Sequence, residues 1–252
     1  MDLVRINETR NISFTSSQMV RLAANGRDKK SPSDKFYTYI EEVAQQIRLG
    51  RPLSKEQDAK AALWGKLCEK YVFETSGLLG LEYTPMGDTT LKHPTINQWA
   101  GTPDVKREGF VGDIKCPFTM GSFCGLVDEA RNEKREILHE ALTVDAFKYN
   151  HKDGDKFYWQ LVSNAILLGV DKAELIVFCP YQSELEAIRD LASKMPNDYE
   201  YRFVTNAHDS ELPYLIDGGH YKNLNKIEFD IPQADIDFLT GRVLKAVRLL
   251  NT

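Results

Sequence analysis

Residues 101–117 read Gly101-Thr102-Pro103-Asp104-Val105-Lys106-Arg107-Glu108-Gly109-Phe110-Val111-Gly112-Asp113-Ile114-Lys115-Cys116-Pro117. This stretch predicts a hairpin: one strand over about 100–106, a turn at 107–109 and a second strand over 110–116. Pro117 cannot donate to a ladder and ends it. Side chains alternate faces along a strand, so Asp113 and Lys115 project to one side, ~6.6 Å apart along the chain. Ile114 points the other way, into the core. The turn folds Asp104 back towards Asp113, so that two carboxylates and a lysine converge.

Two like charges side by side are costly unless a cation neutralises them. Oxygen ligands alone suit a hard metal, Mg²⁺ or Mn²⁺. A lysine next to them suits an anionic substrate or an attacking water. Metal, carboxylates and lysine together describe hydrolysis of a phosphodiester. An Asp-x-Lys triplet is also what many solvated strands carry, so the reading leans on two further residues. Glu69 lies in a predicted helix, one turn after Gly65, whose missing side chain permits close approach. Gln160, with Asn164 four residues on, lies on an otherwise apolar helix, where a polar group needs a partner.

Outward from this segment, helices are predicted over 13–25, 34–48, 56–74, 126–149, 155–169 and 233–250. The helix at 34–48 presents Phe36, Ile40, Val43 and Ile47 on one face. That at 56–74 has stripes of Leu63, Leu67, Tyr71 and of Trp64, Cys68, Val72. Asp155 reads as an N-cap and Gly169 as a C-cap. Residues 85–98 read as loop. Ala173 to Cys179 is the best buried strand, and 200–204 and 226–231 are shorter candidates. The order predicts an α/β (α+β) fold with a central mixed sheet flanked by helices. No Gly-, Ser- or Pro-rich linker interrupts it. The chain therefore reads as one domain over 1–252: N-terminal helices at 13–50, a catalytic core at about 56–180 and a C-terminal helix at about 233–250.

Composition narrows the function. The 252 residues are 42% hydrophobic and 27% charged, ordinary for a globular chain and unlike collagen or a disordered polymer. The net charge of −5 argues against a protein that coats nucleic acid through bulk positive charge. Residues 1–60 nevertheless carry 11 Lys/Arg against 8 Asp/Glu, so a local basic face remains available. The longest apolar run, near Ala165 to Val170, is far below the ~20 residues of a membrane span. MDLVRINETR does not read as a signal peptide. Cys68, Cys116, Cys124 and Cys179 form no C-x-x-C pair, and read as scattered reduced thiols of a cytoplasmic protein. His139-Glu140 lacks the second histidine of a zincin motif, since position 143 is Thr, and neither a P-loop nor G-x-G-x-x-G is present.

A helical Glu, then Pro-Asp, then Asp-x-Lys, then a helical Gln resembles the PD-(D/E)XK nuclease superfamily. In detail the chain resembles the phage lambda-type exonucleases. Ala62-Leu63-Trp64-Gly65-Lys66 with Glu69 is similar to their first motif, and Thr102-Pro103-Asp104 to their S-P-D segment. Asp113-Ile114-Lys115-Cys116-Pro117 is similar to E-L-K-C-P, and Phe157-Tyr158-Trp159-Gln160 to their aromatic-to-Gln helix. Arg10 with Phe14-Thr15-Ser16-Ser17 is similar to their R…I-T-A-S segment. The likeness covers about 10–180 in fragments. Asp113 stands where the family usually has Glu, and Thr102 where it has Ser.

The resemblance implies a restriction-endonuclease-like core and a metal-dependent 5′→3′ exonuclease on linear double-stranded DNA, acting in phage-type recombination. It implies that Asp104, Asp113 and the Ile114 carbonyl ligate Mg²⁺ (or Mn²⁺), that Glu69 completes the site, that Lys115 activates the attacking water and that Gln160 orients water or phosphate. Arg10, Ser17 and Thr102 take the positions that hold a 5′-phosphate. A homotrimer and a single-strand annealing recombinase as partner are implied for the nearest relatives, in the cytoplasm of a bacterial host. Two alternatives compete: an endonuclease or junction resolvase on the same fold, and a catalytically inactive DNA-binding module.

Overall fold

Residues 172–178, KAELIVF, carry apolar side chains on both faces because both faces of this strand are covered. The computed structural model describes residues 13–51, 53, 60–74, 79–80, 82–131 and 153–251. Its strands are β1 (Phe14–Thr15), β2 (Thr84–Pro85), β3 (Leu91–Lys92), β4 (Trp99–Gly101), β5 (Val105–Arg107), β6 (Phe110–Lys115), β7 (Lys172–Phe178) and β8 (Leu224–Asp230). Its α-helices are α1 (Met19–Ala23), α2 (Asp34–Leu49), α3 (Lys60–Glu74), α4 (Met120–Arg131), α5 (Gly154–Leu168), α6 (Leu185–Ser193), α7 (Arg202–Thr205) and α8 (Gln233–Leu250).

The main sheet has the order β2-β5-β6-β7-β8, and β6 and β7 run parallel while the other neighbours are antiparallel. A parallel pair needs a crossover, and α4 and α5 lie in that connection. Ala173, Leu175 and Val177 point into a layer with Leu161 of α5, Leu22 of α1, Phe36 of α2 and Leu239 of α8. Ile176 and Phe178 point into the opposite layer, with Trp64, Leu67 and Cys68 of α3 and Leu185 and Ile188 of α6. The period-2 alternation of β6 sends Val111 to the first layer and Ile114 to the second. Asp113 and Lys115 share the face of Val111, under α5.

The hairpin forms around a two-residue loop, Glu108-Gly109, closed by the pairing of Arg107 with Phe110. Gly109 takes the positive φ (+73°) that such a tight turn requires. The first strand differs from expectation. Residues 100–106 do not run as one strand: β4 belongs to a small sheet of order β1-β4-β3, and β5 to the main sheet. The break falls at Thr102-Pro103-Asp104, where Pro103 has no N–H for a ladder and the chain changes sheets.

Other elements also differ. The helix expected over 13–25 is confined to α1, because Phe14, wholly buried, pairs in parallel with Trp99 and holds 14–15 extended. A 3₁₀ turn, Ser16–Gln18, then leads into α1. The expected strand at 200–204 is a 3₁₀ turn, Asp198–Tyr201, followed by α7. Its two buried residues, Tyr201 and Val204, are three apart, which is helical spacing. The N-cap of α5 is Asp153, with Asp155 in the first turn, and Gly169 caps the other end at φ +77°. The loop at 85–98 holds β3 and the end of β2. On α2, Ile47 lies past the core and is exposed, while Tyr39 is buried. The helix expected over 126–149 begins earlier, at Met120, and its part beyond Arg131 lies outside the described residues, as do 56–59.

Gly101, the residue before the break, sits where no side chain fits. A Cβ there would lie 2.0 Å from Ser16 Oγ, 2.7 Å from Asn164 Oδ1 and 2.8 Å from Leu167 Cδ1. Gly101→Ala is therefore expected to destabilise the fold by about 1–3 kcal/mol, as overpacking does. Urea unfolding followed by circular dichroism checks this, and an unchanged midpoint would show that β4 and α5 separate freely.

Candidate active site

The sheet change at Pro103 has a chemical consequence. Asp104 falls just before β5, and its side chain takes the place of a ladder partner: Asp104 Oδ2 accepts from the Ile114 backbone N–H at 2.7 Å. Its carbonyl accepts from the Met86 N–H at 2.8 Å, which ties the 86–90 loop to the same spot. The register places Val105 opposite Gly112, so Asp104 comes up beside Asp113.

Asp113 is 1% exposed on the face of β6 covered by α5. Its Oδ1 accepts from Gln160 Nε2 at 2.7 Å. Its Oδ2 makes no hydrogen bond among the described residues and faces the Lys115 ammonium as an ion pair. Lys115 Nζ also donates to Gln160 Oε1 at 3.5 Å and lies 5.2 Å from the Phe157 ring centroid, a cation–π contact. Gln160, buried on α5, thus uses its donor on the carboxylate and its acceptor on the ammonium, meeting the need for partners that its apolar helix created.

Glu69 faces the cluster from the middle of α3, half-buried and with its Oε1 3.5 Å from where a Cβ on Gly87 would lie. Burial, first, and then the negative charge of Asp113 push its carboxyl up to about 7, against the pull of Lys115 and Lys66. Burial, Asp113 and Glu69 likewise hold Asp104 well above the usual carboxylate range, despite the Ile114 N–H and Lys115. Burial works against the Lys115 ammonium, but Asp113, Asp104 and Glu69 outweigh it, so Lys115 is raised and stays charged. The pocket therefore holds more carboxyls than the half-buried Lys115 ammonium can neutralise, and its carboxyls hold their protons to unusually high pH.

The structure brings together Glu69, Asp104, Asp113, Ile114, Lys115 and Gln160. The three residues expected at a phosphate are less complete. Ser17 is exposed on the 3₁₀ turn, Thr102 Oγ1 lies 3.1 Å from Thr90 Oγ1, and Arg10 lies outside the described residues. Pairing of β1 with β4 joins the segments of Ser17 and Thr102. Ser16 anchors this turn to α5: Ser16 Oγ and Ser163 Oγ are 2.8 Å apart, and Trp99 Nε1 donates to Ser163 Oγ at 2.8 Å. Asn164, expected on the face of Gln160, is wholly buried beside Gly101.

One residue escaped the sequence reading. Asp88 adds negative charge next to Glu69 and helps to raise it. In sequence, Gly87-Asp88 is an ordinary turn pair. Only the tethers of its loop, Met86 to Asp104 and Thr90 to Thr102, bring it to the rim.

A mixed sheet between helical layers, with paired carboxylates, a lysine and a glutamine at the centre, defines the architecture of a nuclease-type α/β fold. The chain shares this fold with solved exonucleases. A phage-related exonuclease from Haemophilus somnus 129PT superposes with a TM-score of 0.59 at 15% identity, over 97% of this chain and 96% of its own. An alkaline exonuclease from Laribacter hongkongensis superposes at 14% identity, with TM-scores of 0.52 alone and 0.53 in complex with dAMP. These cover 96% and 97% of this chain and 89% and 90% of theirs. The fold is the one that the motif resemblance implied. No protein-family profile and no curated protein matches the chain.

The raised carboxyls make a pH prediction for the metal-free protein. A carboxyl whose folded value lies above its unfolded one contributes stability below the ordinary range, lost as pH rises through the folded value. For Glu69 that window runs from 4.5 to about 7. Glu69→Gln is expected to be more stable than the parent at pH 8 in EDTA, by roughly 1–2 kcal/mol after discounting for partial exposure. The gap should close by pH 5. Thermal melts at both pH values check this, and a gap independent of pH would show that Glu69 is not strained by its neighbours.

Proposed function

We propose that the protein is a metal-dependent deoxyribonuclease, an exonuclease that digests linear double-stranded DNA in the 5′→3′ direction. The observation that carries this reading is the direct contact of Asp113 with both Lys115 and Gln160 beside the carboxylate of Asp104. The exonuclease fold supports it.

The residues fit a hard divalent cation. The surplus of carboxyls over ammonium calls for a cation, and every side-chain donor is a carboxylate oxygen. Among the described residues no three His, Cys, Asp or Glu side chains close round one point as a finished cage. Mg²⁺ is commonly held by one or two carboxylates, with substrate phosphate and water in the other positions. Asp104, Asp113 and the Ile114 carbonyl would hold it, with Glu69 completing the set, and Mn²⁺ would suit the same oxygens. Bound there, the ion would supply a Lewis acid and an acidified water.

The chain's own residues do the rest. Lys115, kept protonated by the surrounding carboxylates, orients the attacking water and neutralises charge that develops on the phosphate. Gln160 keeps Asp113 and Lys115 in register by holding one with its amide N–H and the other with its carbonyl. Ser17 and Thr102 offer hydroxyls to a terminal 5′-phosphate, and Arg10 offers a bidentate fork. An end-binding pocket of this kind supports attack from a 5′ terminus. Production of 3′ tails for a single-strand annealing recombinase, assembly as a ring-shaped trimer and work in a bacterial cytoplasm extend this reading from the family resemblance.

Asp113→Asn keeps the acceptor for Gln160, and Lys115→Ala removes the ammonium with its alkyl stem. Each is expected to lower the release of nucleotides from linear duplex DNA by about 10²–10³-fold in Mg²⁺ while leaving the circular dichroism spectrum unchanged. Closed circular duplex should survive the parent protein; cleavage of circles would establish the endonuclease alternative. No nucleotide release from any DNA would leave the inactive binding module.

The end pocket has a separate check. Arg10→Ala should slow digestion of 5′-phosphorylated ends about tenfold or more relative to 5′-hydroxyl ends, the loss expected of a charged hydrogen bond. Equal loss on both ends would remove Arg10 from the pocket.

A further inference from the structure

β1 is two residues long and forms one edge of the small sheet, whose order is β1-β4-β3. The Phe14 N–H turns inward to the Gln98 carbonyl at 2.7 Å. The Thr15 N–H therefore points out of the sheet, where no further strand lies among the described residues. An edge N–H of this kind needs another acceptor. α2 supplies it: Tyr39 Oη accepts from the Thr15 N–H at 2.8 Å. The phenol is itself clamped. Phe14 meets its ring edge-on at 5.4 Å between centroids, and the Arg21 guanidinium lies 4.6 Å from its centroid. Arg21 is fixed in turn by two nitrogens on Glu42, at 2.6 and 2.7 Å. Tyr39 is thus a buried side chain whose polar tip is spent on the turn that carries Ser17.

Two further contacts lead outward. Tyr39 Oη lies 3.4 Å from Thr15 Oγ1, and Thr15 Oγ1 lies 3.4 Å from Ser17 Oγ, both long hydrogen bonds. We propose that Tyr39 is a positioning residue for the end of the substrate: it braces the Thr15–Ser17 turn and sets the direction of its hydroxyl chain, so that the Ser17 O–H aims at a terminal 5′-phosphate. The phenol oxygen accepts from the Thr15 N–H, so its own proton is the one left to donate, to Thr15 Oγ1. Thr15 then donates to Ser17, and exposed Ser17 keeps its proton for an acceptor outside. Tyr39 touches no substrate and acts through Thr15 and Ser17. The inference rests on the end pocket of the proposed nuclease, whereas the brace itself does not.

The direction of the chain decides what it can hold. A terminal phosphate presents strong acceptor oxygens. A hydroxyl helps to bind them only when its proton faces them. Run the other way, with Ser17 donating to Thr15, the chain would offer the phosphate a lone pair and repel it. A 5′-hydroxyl end carries no such oxygens and is indifferent to the direction. The brace therefore bears on phosphorylated ends alone, whereas a side chain that only filled the core would affect both kinds of end alike.

Tyr39→Phe removes one oxygen and leaves the ring between Phe14 and Arg21. The test gives the whole chain linear duplexes with 5′-phosphate or 5′-hydroxyl ends. Binding is read by fluorescence anisotropy in EDTA, and release of the first nucleotide in Mg²⁺. The parent should favour the phosphorylated end. In Tyr39→Phe the affinity for phosphorylated ends should fall about 3–10-fold, the worth of one hydrogen bond, with that for hydroxyl ends unchanged. First-nucleotide release should show the loss in KM, with kcat kept. Hydrogen exchange at the Thr15 amide should quicken. Arg21→Lys keeps the charge but loses the fork on Glu42, and should give a smaller loss of the same kind. It carries the test should Tyr39→Phe fail to fold. Full parental preference for phosphorylated ends in the folded variant, or equal loss on both ends, would overturn the proposal. A parent that does not distinguish the ends would remove the end pocket, and the proposal with it. A parent that prefers phosphorylated ends yet releases no nucleotide, with the preference lost in Tyr39→Phe, would support the role of Tyr39 and refute the nuclease reading.

Discussion

Everything at the centre of this protein depends on like charges held closer than water would allow. Asp104 and Asp113 stand side by side, Glu69 faces them, and Lys115 supplies the half-buried ammonium among them. The backbone answers part of the imbalance, through the Ile114 N–H on Asp104. Gln160 answers another part, through its N–H on Asp113. What is left is a surplus of carboxyls over ammonium in a partly dry site, which either protons or a cation must relieve. A fold built only for stability would replace such a cluster with packed apolar groups at little cost. The proposed function gives such a cluster, in the middle of a well-packed sheet, its reason.

The scaffold meets this demand by stiffness. β6 is paired along its length with β7 on one side and near the turn with β5 on the other, and α5 lies across its upper face. Asp113, Lys115 and Gln160 therefore come from regular elements whose positions are set by two apolar layers. Asp104 is the exception, coming from a break in the chain. That break is itself fixed, by Pro103, by the tight seat of Gly101 against α5 and by the carbonyl bond to Met86. The sheet change is thus what allows a loop residue to be placed as firmly as a strand residue.

Much of this was legible in the linear order. Alternation over 110–116 assigned Asp113 and Lys115 to one face and Ile114 to the other, and both assignments hold. The polar Gln160 on an apolar helix announced a buried partner, and the partner is Asp113. Other readings failed for identifiable reasons. The strand at 100–106 looked continuous because alternation does not register a change of sheet. Residues 14–15 looked helical because their pairing with Trp99 lies 85 positions downstream. The region 200–204 looked extended because five residues are too few to separate a period of 2 from one of 3.6. Asp88 left no local trace.

By itself the order of residues determined which side chains share a face and which elements bury both sides, since these follow from backbone periodicity alone. It also determined the chemistry on offer: hard oxygen donors, an ammonium and an amide. Only the tertiary structure decided which groups meet. Contact between Asp113 and Gln160 and between Asp104 and the Ile114 amide arises from packing across elements, and packing distances are not encoded in local spacing. The same is true of the electrostatics. A carboxyl titrates near neutrality because of what the fold places around it and how much water the fold removes, and neither exists until the layers have closed.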